Sequence, residues 1–146
     1  RRYIEMFGYK CNLQTDTEVI TYIIDFLLRV KKLTLEEVAK VISASFWTTI
    51  DDKSEDDRRQ ETFLRKAFPS LLINGPFSII FGFDGGLMAL NDRLKLRSMV
   101  CAEKGDIAFV SSEECGIRVI QPQLDSIFAP AGGQPVIYTL REGVGR

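Results

Sequence analysis

The chain offers few side chains for covalent chemistry, and their types restrict that chemistry. It has no histidine among its 146 residues, which excludes a Ser-His-Asp triad, a Cys-His pair and a histidine metal site. Ser111 and Ser112 stand beside two glutamates, but without a histidine or a nearby lysine as base their hydroxyls remain weak nucleophiles. We therefore interpret this segment as the end of a strand followed by a turn.

The three cysteines are the other nucleophiles. Cys11, Cys101 and Cys115 form no CxxC pair and cannot all pair within the chain, which is typical of a reducing compartment and predicts a cytoplasmic location. One covalent mechanism needs no histidine, because a nucleophile at the first residue of a processed chain can use its own α-amino group as base. No cysteine here stands in a Cys-Gly-Ile start, so structural thiols are expected.

The composition indicates a single soluble domain without a polyanionic partner. The 19 basic and 20 acidic residues leave a net charge of -1, whereas nucleic acids and anionic membranes favour clustered positive charge. The longest apolar run, Phe77 to Phe83, is far shorter than the roughly 20 residues that cross a bilayer. We predict neither a nucleic-acid partner nor a membrane partner.

Helical periodicity occupies the first half of the sequence. The opening residues 1–10 look helical, with Gly8 as their stop, but no capping residue precedes them, so Arg1 is interpreted as a truncation or processing point. Thr15 to Glu18 has the Thr-x-x-Glu form of a capping box and starts a predicted helix over about 16–30.

Two more helices are predicted before residue 72. A second capping box, Thr34 to Glu37, starts a shorter helix that ends near Ser43. Ser54 caps a third helix that stops before Pro69. The apolar residues that this third helix carries are Phe63, Leu64, Ala67 and Phe68.

Short apolar runs separated by glycine follow Asn74 and predict strands. The runs 77–83 and 87–90 are joined by Asp84-Gly85-Gly86 and predict a β-hairpin, not a phosphate loop, because neither a helix nor a Lys-Ser/Thr pair follows. Further strands are predicted at 98–102, 106–111, 117–120 and 136–140. Helices followed by antiparallel strands favour the α+β class.

The stretch Gln14-Thr15-Asp16-Thr17-Glu18-Val19-Ile20 closely resembles the segment of class II glutamine amidotransferases in which an aspartate binds the α-amino group of glutamine. Residues 74–80, 86–97 and 111–115 resemble successive sheet strands of that family. Residues 33–72 are more similar to archaeal-type glutamate synthase amidotransferase domains than to aminosugar synthases. The chain departs from the family at Asn91-Asp92 and Arg97-Ser98, where relatives often show Arg-Asp and Arg-Pro.

This resemblance implies an Ntn-hydrolase-like αββα sandwich with antiparallel sheets and a missing N-terminal portion. Residues 1–146 would be a partial amidotransferase domain, helical over about 1–72 and mainly β over about 76–140. The nucleophilic cysteine, the arginine for the substrate carboxylate and the oxyanion Asn-Gly pair would all precede Arg1, so Asn74-Gly75 is not that pair. No catalytic residue is then expected in this chain, and Asp16 is the implied substrate-binding residue.

The implied function is a glutaminase half-reaction whose ammonia serves glutamate synthesis. A glutamate synthase domain or subunit would be the partner and would carry any FMN and iron-sulfur cluster, so no cofactor or metal is expected in this domain. A homo-oligomer is compatible with the sequence. Two alternatives stay open: an amidotransferase that serves a phosphoribosyl or aminosugar acceptor, and a non-catalytic α+β interaction module.

Two segments also have simpler interpretations. Asp16 would complement the dipole of its helix whether or not it binds a ligand, because an acid in the first turn faces the positive end. Asp92, Arg93, Lys95 and Arg97 would form either a solvated rim or a basic contact surface toward a partner domain.

Overall fold

A computed structural model describes residues 1–140 of the chain. They divide into two compact units, a helical unit Arg1–Leu72 and a strand unit that begins at Ile73. Among the described residues, no helix has both the length and the apolar character that a membrane span requires.

The helical unit contains five α-helices. They are α1 Arg2–Glu5, α2 Asp16–Asp25, α3 Leu35–Ile42, α4 Trp47–Asp51 and α5 Glu55–Ala67. A π-helical segment, Phe26–Val30, extends α2, and a 3-10 turn, Pro69–Leu71, follows α5. The three longer predicted helices are confirmed, whereas α4 was not predicted.

The core of the helical unit is aliphatic with one aromatic ring. Its fully buried side chains include Ile4, Ile24, Phe26, Leu27, Val38, Ile42, Ile50, Leu64 and Leu71. Along α5, Leu64 is buried, whereas Phe63 is 65% exposed and Ala67 is exposed. The helix also buries Glu61, three residues before Leu64. The Glu61 carboxylate lies 2.5 Å from Lys53 Nζ and 3.8 Å from Lys40 Nζ, so two cations compensate its burial.

Within residues 73–140, the strand unit holds two three-stranded antiparallel sheets and one helix. Its elements are β1 Ser78–Phe83, β2 Gly86–Asn91, β3 Val100–Lys104, β4 Ile107–Ser111, α6 Glu114–Ile120, β5 Ser126–Phe128 and β6 Val136–Thr139. The sheet orders are β1-β2-β6 and β4-β3-β5. The α+β class with antiparallel sheets is therefore confirmed.

The two sheets share a small apolar core. Ala89 of β2 is buried against Met99 and Cys101, and Val110 of β4 and Val136 of β6 pack on this cluster. Side chains from both sheets thus exclude water from one common interior.

The predicted β1–β2 hairpin is confirmed, with Phe83 paired to Gly86. Asp84 and Gly85 form its two-residue turn, where Gly85 has a φ of 84° that suits glycine. A Cβ atom at Gly86 would lie 2.3 Å from the Tyr138 carbonyl oxygen and 2.7 Å from the Phe83 ring. Only glycine at this position allows β2 and β6 to pair this closely.

The strand predicted at 117–120 is wrong, because these residues belong to α6. Only Ile117 is buried, while Val119 is 84% and Ile120 is 73% exposed, so the run is not a buried strand. Arg118 Nε lies 2.5 Å from Glu114 Oε1, one helical turn earlier, which supports the helix. The short strand β5 was not predicted.

Candidate functional site

Asp16 is the first residue of α2. The side chain of Thr15 accepts a hydrogen bond from the Glu18 N–H at 3.3 Å, so the predicted helix start is confirmed. The Asp16 side chain is exposed, and among residues 1–140 it forms no hydrogen bond or ion pair. Because Thr15 already caps the helix, the Asp16 carboxylate is available to a ligand.

The loop before Asp16 is fixed by side chains on both of its sides. The Glu18 carboxylate does not complete a capping box with Thr15 but accepts from the Asn12 N–H at 2.8 Å and the Leu13 N–H at 2.9 Å. The Arg1 guanidinium donates to the carbonyl oxygens of Cys11 and Leu13. These bonds hold the backbone that presents Asp16, which reduces the entropy lost when a ligand binds.

The far end of α2 is also anchored. Tyr9 donates a 2.5 Å hydrogen bond to Asp25, and its ring lies 5.1 Å from that of Tyr22. Burial and the adjacent Asp25 carboxylate raise the pKa of Tyr9 to about 12, so the hydroxyl keeps its proton at neutral pH. The helix that carries Asp16 therefore has polar anchors before and after its apolar stripe.

Of the three cysteines, Cys101 and Cys115 have environments that disfavour the reactive thiolate form. All three are free, with Cys101 buried in β3 and Cys115 exposed in α6. Burial, assisted by Glu103, raises the pKa of Cys101, and a 3.2 Å hydrogen bond to Glu113 raises the pKa of Cys115. The thiol form is favoured in both cases, which makes them weak nucleophiles. No metal-binding cluster of acids and thiols occurs within residues 1–140.

Asp92 occupies a position that the sequence did not reveal. The solvated-rim interpretation is wrong for this residue, which is only 3% exposed. Its carboxylate accepts hydrogen bonds from four backbone N–H groups, those of Phe77, Leu94, Leu96 and Arg97, at 3.0 to 3.3 Å. Burial acts to raise the pKa of Asp92, but these four donors outweigh it and hold that pKa below its ordinary value.

Asp92 organises the segment Arg93–Arg97, which we call the basic loop. Its backbone turns inward toward the carboxylate, and Lys95 adopts a φ of 54°. The side chains of Leu94 and Leu96 remain 58% and 61% exposed. On the other side the loop backbone approaches Gly132 so closely that a Cβ there would lie 2.5 Å from the Arg93 carbonyl oxygen. The loop is thus fixed from two directions while its side chains point outward.

A cavity of about 680 Å³ in the strand unit is the second unpredicted feature. Side chains of both sheets line it. Glu103 and Asp106 are exposed residues of this lining, and its described residues include no lysine or arginine. We therefore call it the acidic cavity. The apolar part of its wall includes Phe83, Leu87 and Ile107. Its volume falls in the range of roughly 300 to 1,000 Å³ that is usual for ligand sites.

Tyr138 forms another part of the cavity wall. Its hydroxyl oxygen is buried and makes no hydrogen bond of ordinary geometry within the described residues. Burial, with smaller contributions from Cys101 and Glu103, raises the pKa of Tyr138 to about 12. A shallower depression in the helical unit lies along α4 and α5, and Asp16 lines neither of the two.

Comparisons with known proteins identify one relative but no activity. The chain is 45% identical over 141 residues to a protein of Archaeoglobus fulgidus described as "Uncharacterized protein". The match covers 97% of this chain and 37% of the archaeal protein, so the chain spans little more than a third of its relative's length. Neither a protein-family profile nor a solved structure matches the chain.

Proposed function

We propose that these residues are part of a class II glutamine amidotransferase domain of the glutamate synthase type, in which Asp16 binds the α-ammonium group of glutamine. The observation that carries the proposal is the position of Asp16, an exposed carboxylate without an internal partner, on a braced helix start within the Gln14–Ile20 segment. Two antiparallel sheets with a shared interior are compatible with an Ntn-hydrolase-like sandwich.

The proposed reaction is hydrolysis of the side-chain amide of glutamine. A cysteine thiol gives its proton to its own α-amino group and attacks the amide carbon. The carbon–nitrogen bond then breaks, and the leaving nitrogen takes that proton and departs as ammonia. Water then hydrolyses the thioester to glutamate and restores the thiol. The proposal assigns this cysteine, the carboxylate-binding arginine and the oxyanion donors to parts of the complete protein outside residues 1–146.

Asp16 would contribute substrate position rather than chemistry. A carboxylate that accepts hydrogen bonds from an ammonium group forms a charge-assisted contact roughly twice as strong as a neutral one. The released ammonia would pass to a glutamate synthase domain or subunit, where FMN and an iron-sulfur cluster would support the reductive step. In the archaeal relative, 63% of the sequence lies outside the matched part (100% minus the 37% covered) and has room for further domains.

The substitution Asp16→Asn in the complete protein tests the proposal. It removes the charge with little change in volume, so we expect the KM for glutamine to rise about tenfold or more, which corresponds to about 1.4 kcal/mol. Asp56→Asn is a matched control, because Asp56 is also an exposed acid in the first turn of a capped helix. Both substitutions weaken a helix-dipole contact, but only Asp16→Asn should alter glutamine kinetics.

The proposal for Asp16 is contradicted if the Asp16→Asn variant has the same glutamine kinetics as the Asp56→Asn variant and the unaltered protein. Asp16 would then only complement the dipole of its helix. A separate measurement, the intact mass and N-terminal sequence of the complete mature protein, shows whether its first residue is the proposed nucleophilic cysteine. A mature protein without an N-terminal cysteine and without glutaminase activity would instead support the non-catalytic interaction module. An active glutaminase that supplies a phosphoribosyl or aminosugar acceptor would exclude glutamate synthesis as its role.

A further inference from the structure

The basic loop and the acidic cavity lie at opposite ends of one sheet. The basic loop follows the last residue of β2 and is bonded through Asp92 to Phe77, immediately before β1. The cavity includes Phe83 and Gly86, which flank the β1–β2 turn. The six residues of β1 separate the two features by about 20 Å at roughly 3.3 Å per residue.

The two surfaces are complementary in charge and in polarity. The loop presents Lys95 and Arg97, which form no ion pair within the described residues, on either side of the exposed Leu96. The lining of the cavity combines the exposed Glu103 and Asp106 with apolar residues, and Glu103 also accepts a hydrogen bond from Ser126 at 3.3 Å. A leucine that entered the cavity would be removed from water, while the cations beside it would reach the carboxylates at the edge.

The rigidity of the loop also suits a binding element. Four hydrogen bonds to Asp92 and the close approach of Gly132 fix its backbone without burying Leu94 or Leu96. Because the backbone is already fixed, the loop loses little backbone conformational entropy when its exposed leucines bind. A loop of this type is pre-organised for insertion into a recess.

We propose that the basic loop of one copy of this protein inserts into the acidic cavity of a second copy. Leu94 and Leu96 occupy the apolar part of the cavity, and Lys95 and Arg97 pair with Glu103 and Asp106. Because each copy carries one loop and one cavity at opposite ends of a sheet, the contact is heterologous and joins copies head to tail in a ring or an open chain. This inference does not depend on the proposed amidotransferase function.

A charge-exchange experiment on the complete protein tests this contact. One variant carries Lys95→Glu and Arg97→Glu, and the other carries Glu103→Lys and Asp106→Lys. Each variant alone brings like charges together at every contact, so sedimentation velocity should show a loss of concentration-dependent association. An equimolar mixture restores opposite charges at both kinds of contact, since the altered loop meets the altered cavity and the original loop meets the original cavity.

The expected results are association of the unaltered protein that weakens at high salt, dissociation of each variant, and recovered association of the mixture. The control variant Lys10→Glu with Lys32→Glu makes the same charge change at two exposed positions of the helical unit and should associate normally. If the cavity variant melts early, the milder Glu103→Gln with Asp106→Asn replaces it and should weaken association at unchanged stability.

Three outcomes would overturn the proposal. The first is an unaltered protein whose mass is independent of concentration up to roughly 1 mM, because even weak specific contacts are populated there. The second is association that either the loop variant or the cavity variant fails to reduce. The third is a mixture that associates no more than the two variants do separately. Any of these results would show that these surfaces do not bind each other.

Discussion

Asp92 shows how a single buried carboxylate can determine the shape of a loop. Its four backbone donors come from both ends of the segment Phe77–Arg97, which closes the first hairpin on the side opposite its turn. Removal of the charge leaves these donors with a weaker acceptor in a buried position. The residue is therefore a structural anchor for the exposed side chains that follow it.

Asp92→Asn should lower the free energy of unfolding of the strand unit by about 1.5 to 3 kcal/mol at neutral pH, the range for hydrogen bonds to a charged group. Because the folded pKa of Asp92 is below 3.8, its contribution is fully present above that value and is lost as the pH falls through the lower, folded pKa. Urea unfolding of both proteins at pH 7 and at successively lower pH should thus give a large difference at pH 7 that shrinks as the pH falls below 3.8.

The Asp92 prediction has its own control. Asp84→Asn changes the same type of group in the exposed β1–β2 turn and should leave the free energy of unfolding within about 0.5 kcal/mol of that of the unaltered protein. If Asp92→Asn is equally mild at pH 7, the carboxylate is not the anchor that its hydrogen bonds suggest.

The α-helices show how far local sequence determines structure. Thr34 and Glu37 form a complete capping box, since Thr34 accepts from the Glu37 N–H at 3.2 Å and Glu37 accepts from the Thr34 N–H at 2.9 Å. Thr15 and Glu18 have the same Thr-x-x-Glu pattern, yet Glu18 bonds to Asn12 and Leu13. The pattern predicted both helix starts correctly but could not reveal which partner each glutamate takes.

A pair of double-mutant cycles should separate these two helix starts. Thr34→Ala alone should cost about 1 kcal/mol of stability, and its combination with Glu37→Ala should be non-additive by 0.5 kcal/mol or more because the two groups bond reciprocally. Thr15→Ala with Glu18→Ala should be closer to additive, since the Glu18 carboxylate bonds elsewhere. Urea unfolding of the six variants measures both coupling energies, and equal couplings would contradict the assigned hydrogen bonds.

Other elements show where local sequence is insufficient. The Asp84-Gly85 turn was predicted because its backbone conformation suits glycine whatever surrounds it. The run at 117–120 was assigned wrongly because four residues cannot distinguish a strand from a helical segment by periodicity. Burial of Glu61 depends on Lys40 and Lys53, which lie elsewhere in the chain. Such tertiary compensation leaves no local signal.

The candidate sites also differ in how far local sequence could predict them. Asp16 could be located at a helix start from sequence, and its exposed position leaves both the ligand and the dipole interpretation physically sound. The acidic cavity could not be predicted, because Phe83, Glu103 and Tyr138 come together only through the arrangement of two sheets. Residues that belong to different sheets share no spacing in the sequence.

At the scale of the whole molecule, an almost neutral chain has unevenly distributed charge. The net charge of -1 gave no reason to expect a charged surface. The strand unit nevertheless concentrates cations on the basic loop and carboxylates at the acidic cavity. Short-range complementarity of this kind determines which surfaces associate, whereas the net charge mainly affects solubility.

Each unit also contains one tyrosine that resists ionisation, which leads to a prediction for alkaline solution. The pKa values of Tyr9 in the helical unit and Tyr138 in the strand unit are both raised to about 12. In the unfolded chain a tyrosine ionises near pH 10. Their stabilising contribution is therefore fully present below about pH 10 and is lost as the pH rises through 12, since the unfolded state releases its protons first.

Tyr9→Phe and Tyr138→Phe should each reduce this alkaline loss of stability. At pH 7, Tyr9→Phe should cost about 1 kcal/mol or more because it removes the bond to Asp25, whereas Tyr138→Phe should be nearly neutral because its hydroxyl has no well-formed hydrogen bond. Urea midpoints from circular dichroism at pH 7 and pH 11 measure both effects. The comparison of each variant with the unaltered protein isolates the effect of the one tyrosine that was replaced. If the Tyr138→Phe variant loses as much stability between pH 7 and pH 11 as the unaltered protein does, the Tyr138 hydroxyl is not buried away from solvent.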